Sequence, residues 1–280
     1  MRLRLYHHSD GARIAYREEG TGPPMILLHS LGLSHREWEP VVAPLAGRFR
    51  VILPDLPLHG DSEDRPRHPY TVDWMTEVIS AFALDVAGPR LILGGHGLGA
   101  GLALEAVVSG RLEPTHLVLS GNRLHRPASF GKRLSAWRGA IGLASVPGLD
   151  LLVSYGVVAA CRPSLGDKLS ATHNPAARDL IRHALSDVGG NAHRARAWSK
   201  FARRSELSDP RRDLLDAYPS IAPLVLLLWA EDDPGSPLRA AREALDVIPR
   251  AQLRTLPDAG FLIAYDDPVA VARELISFCG

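Results

Sequence analysis

The chain has 280 residues, a formal net charge of +1, and a composition that is 46% hydrophobic and 22% charged. That length accommodates one large α/β core with an insertion, and the composition is that of a folded protein, not a disordered chain. The near-neutral charge provides no basic field to attract nucleic acid or acidic lipid. Its two cysteines, Cys161 and Cys279, are too few for a disulfide framework or a thiolate metal site and suit a reducing cytoplasm.

In chain order, Leu3 and Leu5 alternate with Arg2 and Arg4, Ser9-Asp10-Gly11 supplies turn chemistry, and Ala12, Ile14 and Tyr16 alternate again. This pattern predicts an antiparallel hairpin, and its lack of a continuous apolar run argues against a signal peptide. No stretch of the chain approaches the roughly 20 apolar residues of a membrane span, so no membrane partner is expected.

Compact apolar runs follow at Met25-Leu28, Val51-Leu53, Leu91-Leu93, Leu117-Leu119 and Leu224-Trp229, with a last strand near Gln252-Leu256. Strands of this kind are covered on both faces and belong to a parallel sheet. Segments of helical length lie between them or close the chain, at Trp74-Val86, Leu98-Val108, Leu238-Val247 and Val269-Phe278. The alternation predicts a doubly wound α/β fold.

From Asn122 to Ala222 the strand pattern is replaced by helix-like segments punctuated by Pro127, Pro147, Pro163, Pro175, Pro210 and Pro219. This reads as a helical cap, residues 122–222, inserted between core segments 1–121 and 223–280. The cap carries 16 Lys and Arg against 8 Asp and Glu, whereas the rest of the chain carries 16 against 23. A basic cap suits either an anionic substrate or simple solvation of outer helix faces.

The segment Leu91-Ile92-Leu93-Gly94-Gly95-His96-Gly97-Leu98-Gly99-Ala100-Gly101 runs from an apolar strand through a Gly-rich turn into a helix. In a G-x-S-x-G nucleophile elbow the central residue occupies a strained turn at the top of a strand, and small flanking residues let strand and helix pack closely. Gly95 and Gly99 fit the flanks, which leaves Gly97 where the serine belongs.

At these residues the chain resembles the α/β-hydrolase superfamily over nearly its whole length outside the cap. Leu28-His29-Ser30-Leu31-Gly32 resembles the family's HG oxyanion loop, with Ser30 in place of its usual glycine, and Trp38 stands at the customary place in the next helix. Val51 to Ser62, with Asp55, His59, Gly60 and Ser62, resembles the D-x-x-G-x-G-x-S loop, with Leu58 departing from its glycine. Leu226 to Pro234 resembles the strand end that delivers the triad acid, which makes Asp233 its equivalent. Leu256-Pro257-Asp258-Ala259-Gly260-Phe261 resembles the stretch that supplies the triad histidine, and Phe261 stands at the histidine position.

The resemblance therefore implies an α/β-hydrolase fold without its nucleophile and base. A hydroxyl attacks only when an imidazole removes its proton, and the carboxylate orients that imidazole. Glycine has no atom with which to attack, and phenylalanine accepts no proton. The amide of Leu98 and one from the Ser30-Leu31 region depend on backbone path alone, so an oxyanion hole is expected to persist, in a cavity enlarged by loss of the serine side chain.

The leading expectation is a non-hydrolytic enzyme that binds an apolar, carbonyl-containing small molecule and catalyses a cyclisation, elimination or isomerisation. The resemblance to superfamily members with degraded triads implies a biosynthetic cyclase or lyase. Asp233, Ser30 and His96 are the catalytic candidates, and Gly97, Leu98, Leu31, Phe261 and His29 the substrate-binding ones. Two alternatives stand beside it. One is a non-catalytic binder in which Gly97 simply relieves turn strain. The other is an esterase-type hydrolase whose relocated base is His29, His59 or His96, with Ser30 as an unusual nucleophile; cap residues His173, His183 and His193 enter only if folding aims them inward.

Gly95-His96-Gly97-Leu98-Gly99-Ala100 also satisfies G-x-G-x-x-A, but no acidic ribose ligand follows about 20 residues on, where Arg123 stands near a strand end instead. No metal-ligand spacing appears, and no motif calls for a cofactor. The oligomeric state is not legible.

Overall fold

The computed structural model describes residues 1–65, 67–125, 149, 164–188, 194, 197–198, 200–201, 213–233 and 235–280. Eight strands form one sheet: β1 (Arg2–His7), β2 (Arg13–Glu19), β3 (Pro24–Leu28), β4 (Arg50–Pro54), β5 (Ile92–His96), β6 (His116–Ser120), β7 (Leu224–Ala230) and β8 (Ala251–Leu256). Their order is β1-β2-β4-β3-β5-β6-β7-β8. β1 pairs antiparallel with β2 and β2 antiparallel with β4, while every pairing from β4 to β8 is parallel. The predicted hairpin and the mostly parallel, doubly wound α/β-hydrolase sheet are both present.

The described helices are α1 (Glu39–Ala46), α2 (Val72–Ala87), α3 (Leu98–Val108), α4 (Ser164–Leu169), α5 (Pro175–Val188), α6 (Asp213–Ala217), α7 (Leu238–Val247), α8 (Ile263–Asp266) and α9 (Pro268–Cys279). Side-chain alternation along each strand splits the core in two. Ile26, Leu28, Ile52, Leu93, Leu117 and Leu119 pack with α2 and α3, whereas Met25, Leu27, Val51, Leu53, Ile92 and Val118 pack with α1 and α9. Every residue of β5 is buried, which is why its sequence shows no polar alternation before it ends in His96.

Helix starts carry recognisable caps. Thr71 accepts the Trp74 amide at 3.2 Å ahead of α2, and Asp267 accepts the Ala270 amide at 2.9 Å ahead of α9. Among the described residues between β6 and β7 there is helix and no strand; Pro127, Pro147, Pro163, Pro210 and His193 lie outside the described residues. No described helix is long and apolar enough to cross a membrane.

The carboxyl ends of the parallel strands bring Ser30, Asp55, His96, Gly97, Gly121 and Asp233 to one edge of the sheet, where open α/β sheets bind ligands. Close approach of α3 to β3 and β5 is set by glycine. A Cβ on Gly95 would lie 2.5 Å from the Ala100 amide, and one on Gly99 would lie 2.5 Å from the Leu28 carbonyl and 2.6 Å from its Cβ. The G-x-G-x-x-A spacing is thereby accounted for in part by packing.

Gly99→Ala tests this packing. Alanine favours helix by about 1 kcal/mol over glycine, yet overpacking against immobile backbone opposes it by about 1–3 kcal/mol. The urea midpoint is expected to fall with the denaturant slope unchanged; a midpoint equal to or above that of the wild type would contradict the close approach.

Candidate active site

The turn after β5 keeps the shape of a nucleophile elbow. Gly97 has φ 54° and ψ −113°, a conformation that strains any side-chain-bearing residue, and its amide donates to the Ser120 carbonyl at 3.0 Å. Asn122 Nδ2 donates to the Gly97 carbonyl at 2.6 Å, so both peptides flanking Gly97 are held. Leu98 is the first residue of α3, so its amide has no acceptor within the helix and points its positive end toward the site.

A Cβ on Gly97 would come within 2.7 Å of Ser30 Cβ and 3.5 Å of the Phe261 ring. Ser30 therefore faces Gly97 closely enough that a side chain at position 97 would require a shift, while the Phe261 ring lies at ordinary van der Waals distance.

Ser30 does not meet a base directly. Its Oγ lies 3.0 Å from both carboxylate oxygens of Glu37, and its amide donates to Glu37 Oε2 at 2.6 Å. Glu37 Oε1 is 2.5 Å from His96 Nδ1. The result is a buried Ser30-Glu37-His96 network in which the carboxylate, not the imidazole, is central. Because Ser30 gives its amide to Glu37, that amide is not available as an oxyanion donor alongside Leu98.

Burial alone would raise the Glu37 pKa, but the charge and hydrogen bond of His96, then the Ser30 amide, hold it below the ordinary value. With Glu37 ionised, His96 Nδ1 carries a proton. His96 Nε2 is buried and has no hydrogen-bond partner among the described residues. It faces Gly121, where a Cβ would overlap it, and the His96 ring lies against Phe261 with centroids 4.4 Å apart. His96 itself is 1% exposed, while Phe261 is half-buried.

The remaining candidates are placed as follows. His29 is wholly buried, its Nδ1 donates to the Ser30 carbonyl at 2.8 Å, and its Nε2 accepts the Leu56 amide at 2.9 Å. Both ring nitrogens are engaged in holding the loop, which leaves His29 none with which to bind a substrate or act as a base. Leu31 is 46% exposed and Leu98 is buried. Asp233 Oδ1 accepts the Gly235 amide at 2.8 Å, and its Oδ2 is buried with no hydrogen-bond partner among the described residues. His173 and His183 lie on described residues outside this network. Among the described residues no three His, Cys, Asp or Glu side chains are grouped so as to hold a metal ion.

The loop around Asp55 proves to be structural. Asp55 accepts the His35 amide at 2.7 Å, His35 Nδ1 at 2.8 Å and the Asp61 amide at 3.0 Å, and these contacts overcome burial to lower its pKa to about 2. Leu58, at the position where the resemblance expects glycine, keeps φ at 79°. The backbone path persists there at a strain of about 1–2 kcal/mol.

Glu37 and Asn122 were missed in the sequence. Glu37 sits two residues after His35 in a polar stretch where a carboxylate reads as a surface or helix-start residue, and nothing local reveals that tertiary contacts bury it.

Residues 25–274 match the alpha/beta hydrolase family. The chain is 27% identical over 264 residues to an uncharacterized protein of Mycobacterium tuberculosis H37Rv, covering 92% of this chain and 75% of that one. It is 30% identical over 253 residues to the magnesium-chelatase 30 kDa subunit of Rhodobacter capsulatus, covering 86% and 81%. Among solved structures it is similar to a thermophilic esterase from Thermogutta terrifontis, with a TM-score of 0.77, 21% identity, and coverage of 100% and 98%.

Two predictions follow from the network. Gly97→Ser is expected to lower the melting temperature by several degrees, and Ser30→Gly in the same chain to recover most of the loss; strictly additive effects would refute the steric coupling of the two positions. Because the folded pKa of Glu37 is lowered from 4.5, its stabilisation is complete above that value and is lost as the pH falls through the folded value. Wild type should therefore exceed Glu37→Gln in urea midpoint at pH 7, and the gap should narrow as the pH is taken below 4.5; a gap independent of pH would show that Glu37 is not ionised.

Proposed function

The chain belongs to the alpha/beta hydrolase family, and from that premise we propose that it is a non-hydrolytic enzyme that moves a proton on a carbonyl-containing small molecule held between core and a cap formed by residues 122–222. The observation that carries this reading is the buried Glu37-His96 pair directly before an elbow with no nucleophile. A carboxylate buried against an imidazole is a poor device for stability, since apolar residues of similar volume usually serve as well or better. A buried imidazole with one nitrogen oriented by a carboxylate and the other unpartnered is instead a common arrangement for acid-base chemistry.

In this reading Glu37 accepts the Nδ1 proton and fixes the tautomer, so Nε2 offers a lone pair. Nε2 takes a proton from the carbon next to the carbonyl. The electron pair moves into the carbon-carbon bond and onto the carbonyl oxygen, which the amides of Leu31 and Leu98 and the start of α3 stabilise. Returning the proton to another carbon completes an isomerisation, and expelling a leaving group completes an elimination. Phe261, half-buried over His96, must move aside for the substrate. Ser30 acts through Glu37 and forms no covalent intermediate.

A second reading, a ligand-binding pseudohydrolase, is favoured by the 1% exposure of His96. The two are separated by incubating the protein with a panel of cyclic ketones in D2O and following deuterium at the α-carbon by mass spectrometry. The enzyme reading expects exchange above background that falls at least 100-fold in His96→Asn. Ketone binding without exchange, or exchange indifferent to His96, sinks it in favour of the binder. Ester hydrolysis by the wild type should be at background; robust turnover of p-nitrophenyl acetate would restore the hydrolase alternative.

A further inference from the structure

Two buried polar atoms near the elbow network lack partners among the described residues: His59 Nε2 and Trp198 Nε1. His59, 2% exposed, has Nδ1 3.0 Å from the Pro57 carbonyl, an oxygen that can only accept. Nδ1 therefore carries the proton, and Nε2 presents a lone pair. Burial, reinforced by the neighbouring His29 and Arg194, keeps the ring neutral, with its pKa lowered to about 3. The Trp198 indole packs edge-on against this ring, with centroids 4.8 Å apart and planes at 75°. Its Nε1–H can only donate.

The pair is held firmly. Arg194, Ala197, Trp198 and Phe201 are helical and recur at the i, i+3, i+4, i+7 spacing that places side chains on one face. Ala197 and Phe201 are buried in the core, and Phe201 meets Trp198 edge-on at 5.8 Å. Arg194 donates to the Gly60 carbonyl at 2.8 Å and to Asp64 at 3.2 Å, tying this helical face to the loop that carries His59. On its other side the His59 ring lies 5.0 Å from that of His29, which bonds the Ser30 carbonyl. The two orphan atoms are thus one ring removed from the elbow network.

Leaving a buried donor or acceptor unmade costs about 1–3 kcal/mol each, and folded interiors seldom tolerate two side by side. An acceptor in need of a hydrogen beside a donor in need of a lone pair is answered by a group that both donates and accepts, of which the smallest a ligand can carry is the hydroxyl. A carbonyl would serve Trp198 alone, and an ammonium would serve His59 alone. We propose that His59 and Trp198 form a hydroxyl-recognising subsite, so that the ligand carries an alcohol or phenol group remote from its reacting carbonyl. The proposal rests on the reading that the ligand occupies the elbow region, but it concerns recognition and not the proton transfer at His96.

The full chain, labelled with 15N, is titrated with phenol and with toluene, which matches phenol in shape but lacks the hydroxyl. The chain has 5 tryptophans, and Trp198→Phe identifies the Trp198 indole resonance among their signals. The expected result is a saturable shift of that resonance with phenol and none with toluene. His59→Phe should weaken phenol binding about tenfold, the loss of one hydrogen bond, while His59→Gln, which keeps an acceptor oxygen and guards against a folding defect, should retain the response. Equal responses to phenol and toluene, or a Trp198 signal unmoved by phenol, would overturn the subsite and leave an internal water as the group that joins the two atoms. Phenol binding that survives alongside absent ketone exchange would remove the catalytic reading and leave the subsite standing; the converse result would remove the subsite alone.

Discussion

One buried negative charge organises the site. Glu37 is 2% exposed, and it holds its charge there because three groups turn toward it: the Ser30 amide, the Ser30 hydroxyl and His96 Nδ1. Removing a carboxylate from water costs several kcal/mol unless such partners are supplied. The position of Ser30 and the tautomer of His96 both follow from meeting that requirement. The orphan Nε2 of His96 follows too, since the ring cannot turn without abandoning the charge.

Three carboxylates near the carboxyl edge of the sheet meet three different environments. Asp55 is saturated by amides and by His35, which makes it a structural knot for the loop ending at Ser62. Asp233 keeps one oxygen bonded to the Gly235 amide and the other without a partner among the described residues. Glu37 alone is joined to a histidine with a free nitrogen. Residue type does not separate the three; the partners each can reach do.

The family fold is retained most fully where backbone carries it. The elbow turn, the close packing of α3 through Gly95 and Gly99, and the left-handed Leu58 all keep the path of a hydrolase scaffold. In the cleft, Ser30 Cβ and a Cβ at position 97 cannot coexist without rearrangement, so the two positions are sterically coupled. Likeness to an esterase at 21% identity speaks to the scaffold and leaves the chemistry to these residues.

By itself the sequence determined the sheet and the glycine turn after β5, because those features are written in contiguous residues. Apolar runs report strands buried on both faces, and a glycine at a left-handed turn reports its backbone. Glu37, Asn122 and the His59-Trp198 pair were decided only by tertiary structure. Each joins residues far apart in the chain, and a polar side chain's partner, burial and protonation depend on what folding packs against it, which no local pattern encodes.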